Sequence, residues 1–553
     1  MNEISRRQFV TGSALALTGA FAIPRSAKAA DAVIDVLLND SPGTILPDCY
    51  GHFVEHLGAV VYDGIWVGEG SKIANVGGIR KSIIDAMARI KAPIIRYPGG
   101  CFADSYNWRD GVGERSKRPR RTNFWYGVNS KEVPMDSTSR FEPNEFGTNE
   151  FLQFCKLTGA KPYLAANVRG LTANDLWEWV EYCNAPVAST TLAQLRASGS
   201  AGSREPYKVE FWGIGNESWG CGGEMTPEEY SQEFRKFTAA YPPFDVPLKF
   251  IGAGASSDDL NWTRGFFAKM REKGEGSFRR LHGWGVHHYS WNVSAGRTTD
   301  WNAGKGDALD FSNEQYYEML RQADSLEDWL LKHWAIMGEF DRAHRTKIAV
   351  DEWGTWHKAG TELKPPHLLG QQNTMRDALV ASISLDIFNR HPDKVMMGNI
   401  AQLVNCLQSL FLADGDRFIT TPTYHVFDMY VPHMNGKAVR TVCDSPKLSW
   451  DRNGKPAEFW SVNGSASVNG KTLTLTVTNP HLTQRRETEV RVHGAKPVSA
   501  AGRTLAETDV KVHNTFDRPN SVVPRDHTAR IVGESIAVSL APASVTRLSI
   551  TLQ

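Results

Sequence analysis

The sequence predicts an α/β fold class: a (β/α)8 TIM-type barrel followed by a C-terminal antiparallel β-sandwich (jelly-roll-like) domain. Three observations carry this. From residue 48 to 434, short apolar strands alternate with helical stretches, and eight strand candidates can be counted. After Gly436 the spacing changes to apolar–polar alternation punctuated by Gly, Pro and Asn. At 553 residues the chain is also too long for one compact core. A doubly wound open sheet is the rival for the first unit. No G-x-G-x-x-G follows the first strand, which disfavours it.

In chain order, residues 1–29 stand outside both units. Ser5-Arg6-Arg7-Gln8-Phe9-Val10 is a twin-arginine pattern, and the apolar run Phe9–Ile23 and the small residues Ala27-Lys28-Ala29 follow. The run is too short to span a bilayer. It reads as an export signal for a periplasmic or secreted protein with no membrane contact after cleavage. Residues 31–47 include "AVIDVLLND" (Ala32–Asp40), expected to join the sandwich as a strand from the other end of the chain.

Within 48–434, barrel strands are expected at Cys49–Val54, Ile94–Pro98, Pro162–Val168, Val209–Asn216, Lys249–Ala253, Gly283–Tyr289, Lys347–Glu352 and Val395–Gln402. Ile79, Ile83, Met87 and Ile90 fall on one helical face before the second strand. Gly159 is a helix stop before the third. In 435–553, "KTLTLTVTN", "ETEVRVHG", "DVKVHN" and "ASVTRLSITL" read as sandwich strands.

Charge excludes some partners. There are 62 basic and 61 acidic residues, a net charge of +1, so nothing points to nucleic acid or a membrane surface. Seventeen Trp, 15 Tyr and 48 Gly suit sugar handling, and equally an ordinary large enzyme. The seven Cys are widely spread without a CxxC pair. They read as reduced, buried thiols rather than a disulfide framework or zinc knuckle.

Two carboxylates stand out. "VEFWGIGNESWG" puts Glu217 at the end of the fourth strand, and "IAVDEWGTW" puts Glu352 at the end of the seventh. Catalytic groups of such barrels sit at the C-terminal strand ends. Strands four and seven face each other across the mouth. Retaining glycoside hydrolysis needs an acid and a nucleophilic carboxylate ~5 Å apart. The bland alternative is two structural, salt-bridged glutamates.

"HFVEH" (His52–His56) matches the H-x-x-E-H spacing of a class of zinc peptidases. A zinc site needs both histidines one turn apart on a helix. Here the stretch begins the barrel, and on a strand the two lie ~13 Å apart at ~3.3 Å per residue. No metal is expected. Glu55 fits better as a carboxylate that accepts sugar hydroxyls.

The chain resembles the glycoside hydrolase family 51 α-L-arabinofuranosidases. The likeness rests on "FVEHLGAVVYDGIW", "IRYPGGCFADSYNWRDGVG", "NEFGTNEFLQFC", "GIGNESWG", "VHHY", "DEWGTW" and "NIAQLVNCLQ". It implies Glu217 as acid/base and Glu352 as nucleophile. It implies a sugar pocket of Glu55, Arg96, Asn216, His287, Tyr289, Trp356 and Gln402, with Gln408 the alternative to Gln402. Family members carry Asn after "PGG", and here the residue is Cys101, taken as pocket-lining. A thiol is a weak hydrogen-bonding group. Either a backbone group or water replaces the amide, or substrate preference differs.

The expected activity is exo-acting release of terminal α-L-arabinofuranosyl groups from arabinoxylan, arabinan and related oligosaccharides, without cofactor. The resemblance also implies a homo-oligomer, often a hexamer. Rivals are an endo-acting glucanase or xylanase of the same clan, or a non-catalytic carbohydrate-binding protein. His287 either orients Glu352 or contacts sugar, and His288 belongs to the core. Glu114–Arg121, "ERSKRPRR", reads as a solvated loop at the barrel rim, or else as an acidic-polysaccharide contact. Trp108, Trp125, Trp219 and Trp291 are candidate stacking surfaces, with packing the alternative.

Overall fold

The computed structural model describes residues 30–127, 140–291, 304–364, 367–452 and 454–553. The expected export signal lies outside them. Eight parallel strands close into a barrel: Gly51–Phe53, Ile94–Tyr97, Lys161–Ala166, Phe211–Ile214, Lys249–Ser256, Leu281–Ser290, Lys347–Thr355 and Val395–Ile400. They are numbered one to eight below. Each pairs with the next in sequence, and strand eight closes on strand one through Asn399↔Gly51 and Ile400↔His52. This is the expected (β/α)8 barrel with strand ends shifted by a few residues. The first strand is shorter than its apolar pattern because Pro47 starts a 3-10 turn over Pro47–Tyr50.

Local signals set the helices. Thr148–Thr158 stops at Gly159, whose φ of 78° is left-handed and favours glycine. The helices after strands three, four, six and seven open on capping boxes: Thr172 with Asp175, Thr226 with Glu229, Ser312 with Gln315, Thr374 with Asp377. Inside the barrel Ile94, Tyr163, Phe211, Ile251, Ala349 and Met397 form one apolar cluster. Among the described residues no helix is long and apolar enough to cross a membrane.

The second unit is an 11-stranded sheet folded over on itself. Ala32–Leu37 runs inside it, antiparallel to Lys437–Asp444 (Ile34↔Cys443) and parallel to Arg486–His493 (Ile34↔Val490). Alternate residues Ile34 and Val36 enter a core shared with Leu475, Val490, Ile536, Leu548 and Ile550.

The two units meet on the helix Met375–Arg390, buried along its length up to Asn389. Asp386 accepts hydroxyl hydrogen bonds from Ser465 at 2.6 Å and Thr476 at 2.7 Å, and burial raises it to about 6. The Tyr50 hydroxyl donates to Asn389 Oδ1 at 2.5 Å, and Asn389 Nδ2 donates to Ser465 Oγ at 3.0 Å. A polar chain thus runs from the base of strand one into the sandwich.

The basic run is a largely exposed loop, as its charge suggests, with one buried exception. Arg118 is buried and shares Glu150 with Arg115, while Arg121 pairs with Asp110. Arg118 and Arg115 brace the loop after strand two, while Lys117, Arg120 and Arg121 remain exposed to solvent. Trp108 is packing: it stacks parallel on Trp179 and donates to Asp175 O at 2.9 Å.

Ile34 is fully buried. Ile34→Ala should therefore cost about 2–4 kcal/mol, read as a lower denaturant midpoint. A midpoint equal to wild type would show that Ala32–Leu37 contributes nothing to the sandwich core.

Candidate active site

Two loops build the barrel mouth, and each is shaped by close approach. After strand two comes Pro98-Gly99-Gly100. A β-carbon on Gly99 would lie 2.6 Å from Glu55 Cγ, and one on Gly100 2.8 Å from Glu352 Oε1. Only glycine lets this backbone approach two carboxylates. After strand four, Glu217 takes a φ of 41°, directly beyond Gly215 and Asn216. Its carbonyl accepts from Gly220 N and Gly222 N, turning the loop back over the mouth.

Glu217 and Glu352 are brought together. His287 Nδ1 lies 2.9 Å from Glu217 Oε1 and 3.5 Å from Glu352 Oε2. One oxygen of each carboxylate and a His287 nitrogen all lie within 4.8 Å of one another. That is the spacing of retaining glycosidases, short of the ~6.5–9.5 Å of inverting ones. Arg96 Nη1 donates to Glu352 Oε1 at 2.8 Å, and Arg96 Nη2 to Asn216 Oδ1 at 2.6 Å. The Tyr289 hydroxyl donates to Glu352 Oε2 at 2.8 Å. Glu352 thus sits among three donors.

The charges follow from burial and partners. Burial opposes a positive His287, but Glu352, Asp351 and Glu217 outweigh it and raise it to about 10. At neutral pH it is an imidazolium, both nitrogens donating, with Nε2 3.4 Å from Asp351 Oδ1. Burial raises Glu352, against the charges of His287 and Arg96. Burial also raises Asp351, but Arg96 and His287 outweigh it and hold it below its usual value.

Glu55 lies deeper. Its oxygens accept from Phe102 N at 3.0 Å and Gln402 Nε2 at 2.9 Å. Burial raises it to about 7 in spite of those bonds. Gln402 therefore lines the pocket. Gln408 points elsewhere, bonded to Thr355 N and Asp377 O. Trp356 and Trp125 wall the pocket, and Trp291 sets its ring edge to face with Trp356 at 6.5 Å. Trp219 is tied by Nε1 to Gly254 O at 3.1 Å, on the barrel side. The cavity holds about 50 Å³. Larger cavities of about 560 and 720 Å³ lie elsewhere on the barrel, and neither gathers two carboxylates.

The two histidines of "HFVEH" part company. His56 Nδ1 lies 2.8 Å from Glu142 and Nε2 2.9 Å from the Tyr97 hydroxyl. His52 packs its ring against Phe427, and burial lowers it to about 3. His288 is a core group, bonded to Ser257 Oγ and Gln322 O.

The cysteine reading needs correction. Cys101 and Cys221 form a disulfide, while Cys49, Cys155, Cys183, Cys406 and Cys443 are free thiols. The partners are 120 residues apart and meet only because the loops after strands two and four converge over the mouth. Cys101 does line the pocket, as a half-cystine. Sequence reasoning also missed Asp351, whose Oδ2 accepts from the Tyr163 hydroxyl at 2.9 Å and faces Arg96 Nε at 3.8 Å. It missed Asp104, which accepts from Val168 N, Arg169 N and Asn216 N and is raised to about 7 by burial. Asp104 was visible only as an acid in "GGCFADSY"; nothing in its spacing marks the role.

Comparison with known proteins agrees with this geometry. Residues 86–304 match the family profile described as "Alpha-L-arabinofuranosidase 1 domain", and residues 351–544 match "Alpha-L-arabinofuranosidase C-terminal domain". An intracellular exo-alpha-L-arabinofuranosidase of Bacteroides ovatus is 35% identical over 89% of this chain and 90% of its own. The crystal structure of the GH51 arabinofuranosidase from Xanthomonas axonopodis pv. citri superposes with a TM-score of 0.85 at 32% identity. It covers 94% of this chain and 100% of that one. The chain belongs to the glycoside hydrolase family 51 α-L-arabinofuranosidases.

One expectation for this family member is overturned. A second relative, from Acetivibrio thermocellus, is named an intracellular exo-alpha-(1->5)-L-arabinofuranosidase and is 29% identical over 65% of this chain and 67% of its own. The Bacteroides ovatus protein is likewise named intracellular, and these two relatives contradict the expected periplasmic or secreted location.

The folded value of His287, about 10, lies above the ~6.5 of an exposed histidine. Its charge therefore stabilises the fold fully below pH ~6.5, and the contribution is lost as pH rises through about 10. The stability gap between wild type and His287→Gln should be widest in acid and close in alkali. Urea unfolding across pH measures it, and a gap that widens with pH would refute a charged His287.

Proposed function

We propose that this family member is a retaining, exo-acting hydrolase of terminal α-L-arabinofuranosyl groups, with Glu217 as acid/base and Glu352 as nucleophile. The observation that carries the reading is the pair of carboxylates within 4.8 Å, held by one histidine. Glu352 sits among fixed donors, suited to an anion that attacks the anomeric carbon. Glu217 is the more open of the two, its side chain 20% exposed against 7%. That suits a group that meets the leaving oxygen at the pocket entrance.

In the first step Glu217 passes its proton to the glycosidic oxygen as Glu352 attacks, giving an arabinosyl ester with inverted configuration. In the second, Glu217 takes a proton from water, which attacks the ester and restores the α configuration. Arg96 and Tyr289 bind Glu352, and Asn216, held by Arg96 through Oδ1, has its amide nitrogen 3.8 Å from Cys221 Sγ at the pocket, where it can meet a sugar hydroxyl. Glu55 and Gln402 close the pocket end, and Trp356 offers an apolar face. The small size of the cavity, about 50 Å³, favours one terminal sugar over the several of an endo-acting groove. Arabinoxylan, arabinan and their oligosaccharides are the substrates the family supports, and a homo-oligomer up to a hexamer is the assembly it favours.

Glu217→Ala should lose about 10²–10⁴-fold on poor leaving groups and far less on activated aryl arabinofuranosides. Azide should then accelerate turnover and give an α-configured arabinosyl azide, by attack on the β-linked ester. Glu352→Ala should be inactive on both substrate types, and any azide product should be β-configured. A β-configured azide from Glu217→Ala and an α-configured one from Glu352→Ala, read by proton NMR, would reverse the roles.

A further inference from the structure

A loop of the sandwich reaches the catalytic end of the barrel. Residues 507–524 join the sandwich strands Pro497–Ala506 and Arg525–His527. They pack against the start of the helix after strand seven and the hairpin after strand eight, and they are fixed there. Met375 N donates to Val512 O at 3.1 Å, and His513 pairs with Thr374 as an isolated bridge. Asn514 is buried; its Nδ2 donates to Thr420 O at 3.0 Å and its Oδ1 accepts from Val522 N at 2.8 Å. The Arg417 guanidinium lies 4.3 Å from the centre of the Phe516 ring.

A groove of about 340 Å³ lies between this loop and the barrel. His513, Thr515 and Phe516 line it from the sandwich, and Thr361, Glu362 and Gln372 line it from the segment after strand seven. One short stretch separates it from the catalytic pocket. Leu369 lines the pocket and Gln372 lines the groove. Between them, a β-carbon on Gly370 would lie 3.3 Å from Glu362 Cγ. At ~3.6 Å per residue, Leu369 and Gln372 are at most ~11 Å apart. A polymer whose end enters the pocket therefore has the groove within its reach.

The chemistry of the groove suits uncharged sugar. Phe516 supplies an aromatic surface held in place by Arg417. Around it stand a carboxylate, a carboxamide, an imidazole and a hydroxyl. Gly360 N donates to Glu362 Oε2 at 2.8 Å, Gln372 Nε2 donates to Thr361 O at 3.2 Å, and His513 pairs through Nδ1 with Lys511 O at 3.1 Å. Glu362 Oε1, Gln372 Oε1 and His513 Nε2 take part in none of these bonds. An apolar ring beside a few fixed polar groups matches a sugar unit, which has C–H faces and a hydroxyl rim. The catalytic cavity of about 50 Å³ takes one terminal sugar, so the rest of a polymeric substrate lies outside it.

We propose that this groove is an accessory subsite for the neutral polysaccharide chain that carries the terminal arabinofuranosyl group. It holds internal sugar units of that chain while the terminal unit sits in the catalytic pocket. The sandwich thus adds affinity for polymer without touching the reacting atoms. This rests on the reading of the protein as an exo-acting arabinofuranosidase.

Phe516→Ala removes the aromatic surface on the sandwich side, and Glu362→Ala removes a polar group on the barrel side. Each full-length variant is assayed on arabinoxylan, on linear arabinan and on an aryl arabinofuranoside whose leaving group is a single ring. On polymer, kcat/KM should fall about tenfold through KM, and on the aryl arabinofuranoside it should stay within about twofold of wild type. A fall on arabinoxylan alone assigns a xylan backbone to the groove, and a fall on arabinan alone assigns an arabinan chain. Equal losses on polymer and aryl substrate overturn the proposal, as do unchanged values on both polymers.

The rival occupant is a second copy of this chain. Sedimentation should give Phe516→Ala the same mass as wild type, and an assembly that dissociates in this variant overturns the proposal. If Phe516→Ala does not fold, Glu362→Ala is judged by the same outcomes. Wild-type enzyme inactive on the aryl arabinofuranoside sinks the activity reading and the proposal with it. Activity there, with polymer values unchanged in the variants, sinks the proposal alone.

Discussion

A buried guanidinium organises the barrel mouth. Arg96 is 1% exposed and would be very costly there without partners. From strand two it reaches Glu352 and Asp351 of strand seven and Asn216 beyond strand four, and lies over the rings of Phe53 and Tyr163. Its own charge is favoured, because Asp351, Tyr163 and Glu352 outweigh the cost of burial. Two carboxylates side by side on one strand could not both stay ionised in an apolar barrel without this cation and the imidazolium of His287. Remove the guanidinium and the spacing of every acidic group in the mouth is undetermined.

Around that cation the two glutamates receive different surroundings. Glu352 is buried against Arg96, Tyr289 and His287. Glu217 rides on a turn, with one oxygen held by His287 and the other beside the Cys101–Cys221 disulfide. Carboxylates with contrasting environments are how one site holds an acid and an anion together. Gly99 and Gly100 make this possible by letting the loop after strand two come within van der Waals distance of Glu55 and Glu352.

The sandwich takes part through one helix. Met375–Arg390 is clamped from below by Ser465 and Thr476 through Asp386. At its other end Asp377 accepts from the Thr355 hydroxyl at 2.6 Å and from His357 Nε2 at 2.8 Å. Those residues flank Trp356 at the end of strand seven. The position of the pocket wall is thus linked through a rigid helix to a second domain with no residue in the pocket.

The sequence by itself determined the fold class and the placement of Glu217 and Glu352. Periodicity is local, strands and helices announce themselves within ten residues, and a barrel brings the ends of strands four and seven to one mouth. The motifs around these strands carried the family as well. Only the tertiary structure decided what depends on distant segments meeting. Cys101 pairs with Cys221 because two loops converge. Gln402 and not Gln408 enters the pocket because of how the chain turns after strand eight. Arg118 is buried against Glu150 although its sequence context is a run of charge. Asp351 is the clearest case. Strict alternation would turn it away from Glu352, yet both face the interior, because the register of strands seven and eight shifts between Val350 and Trp353. That irregularity comes from barrel closure, where strands must fit neighbours far away in the chain, and no local spacing of residues records it.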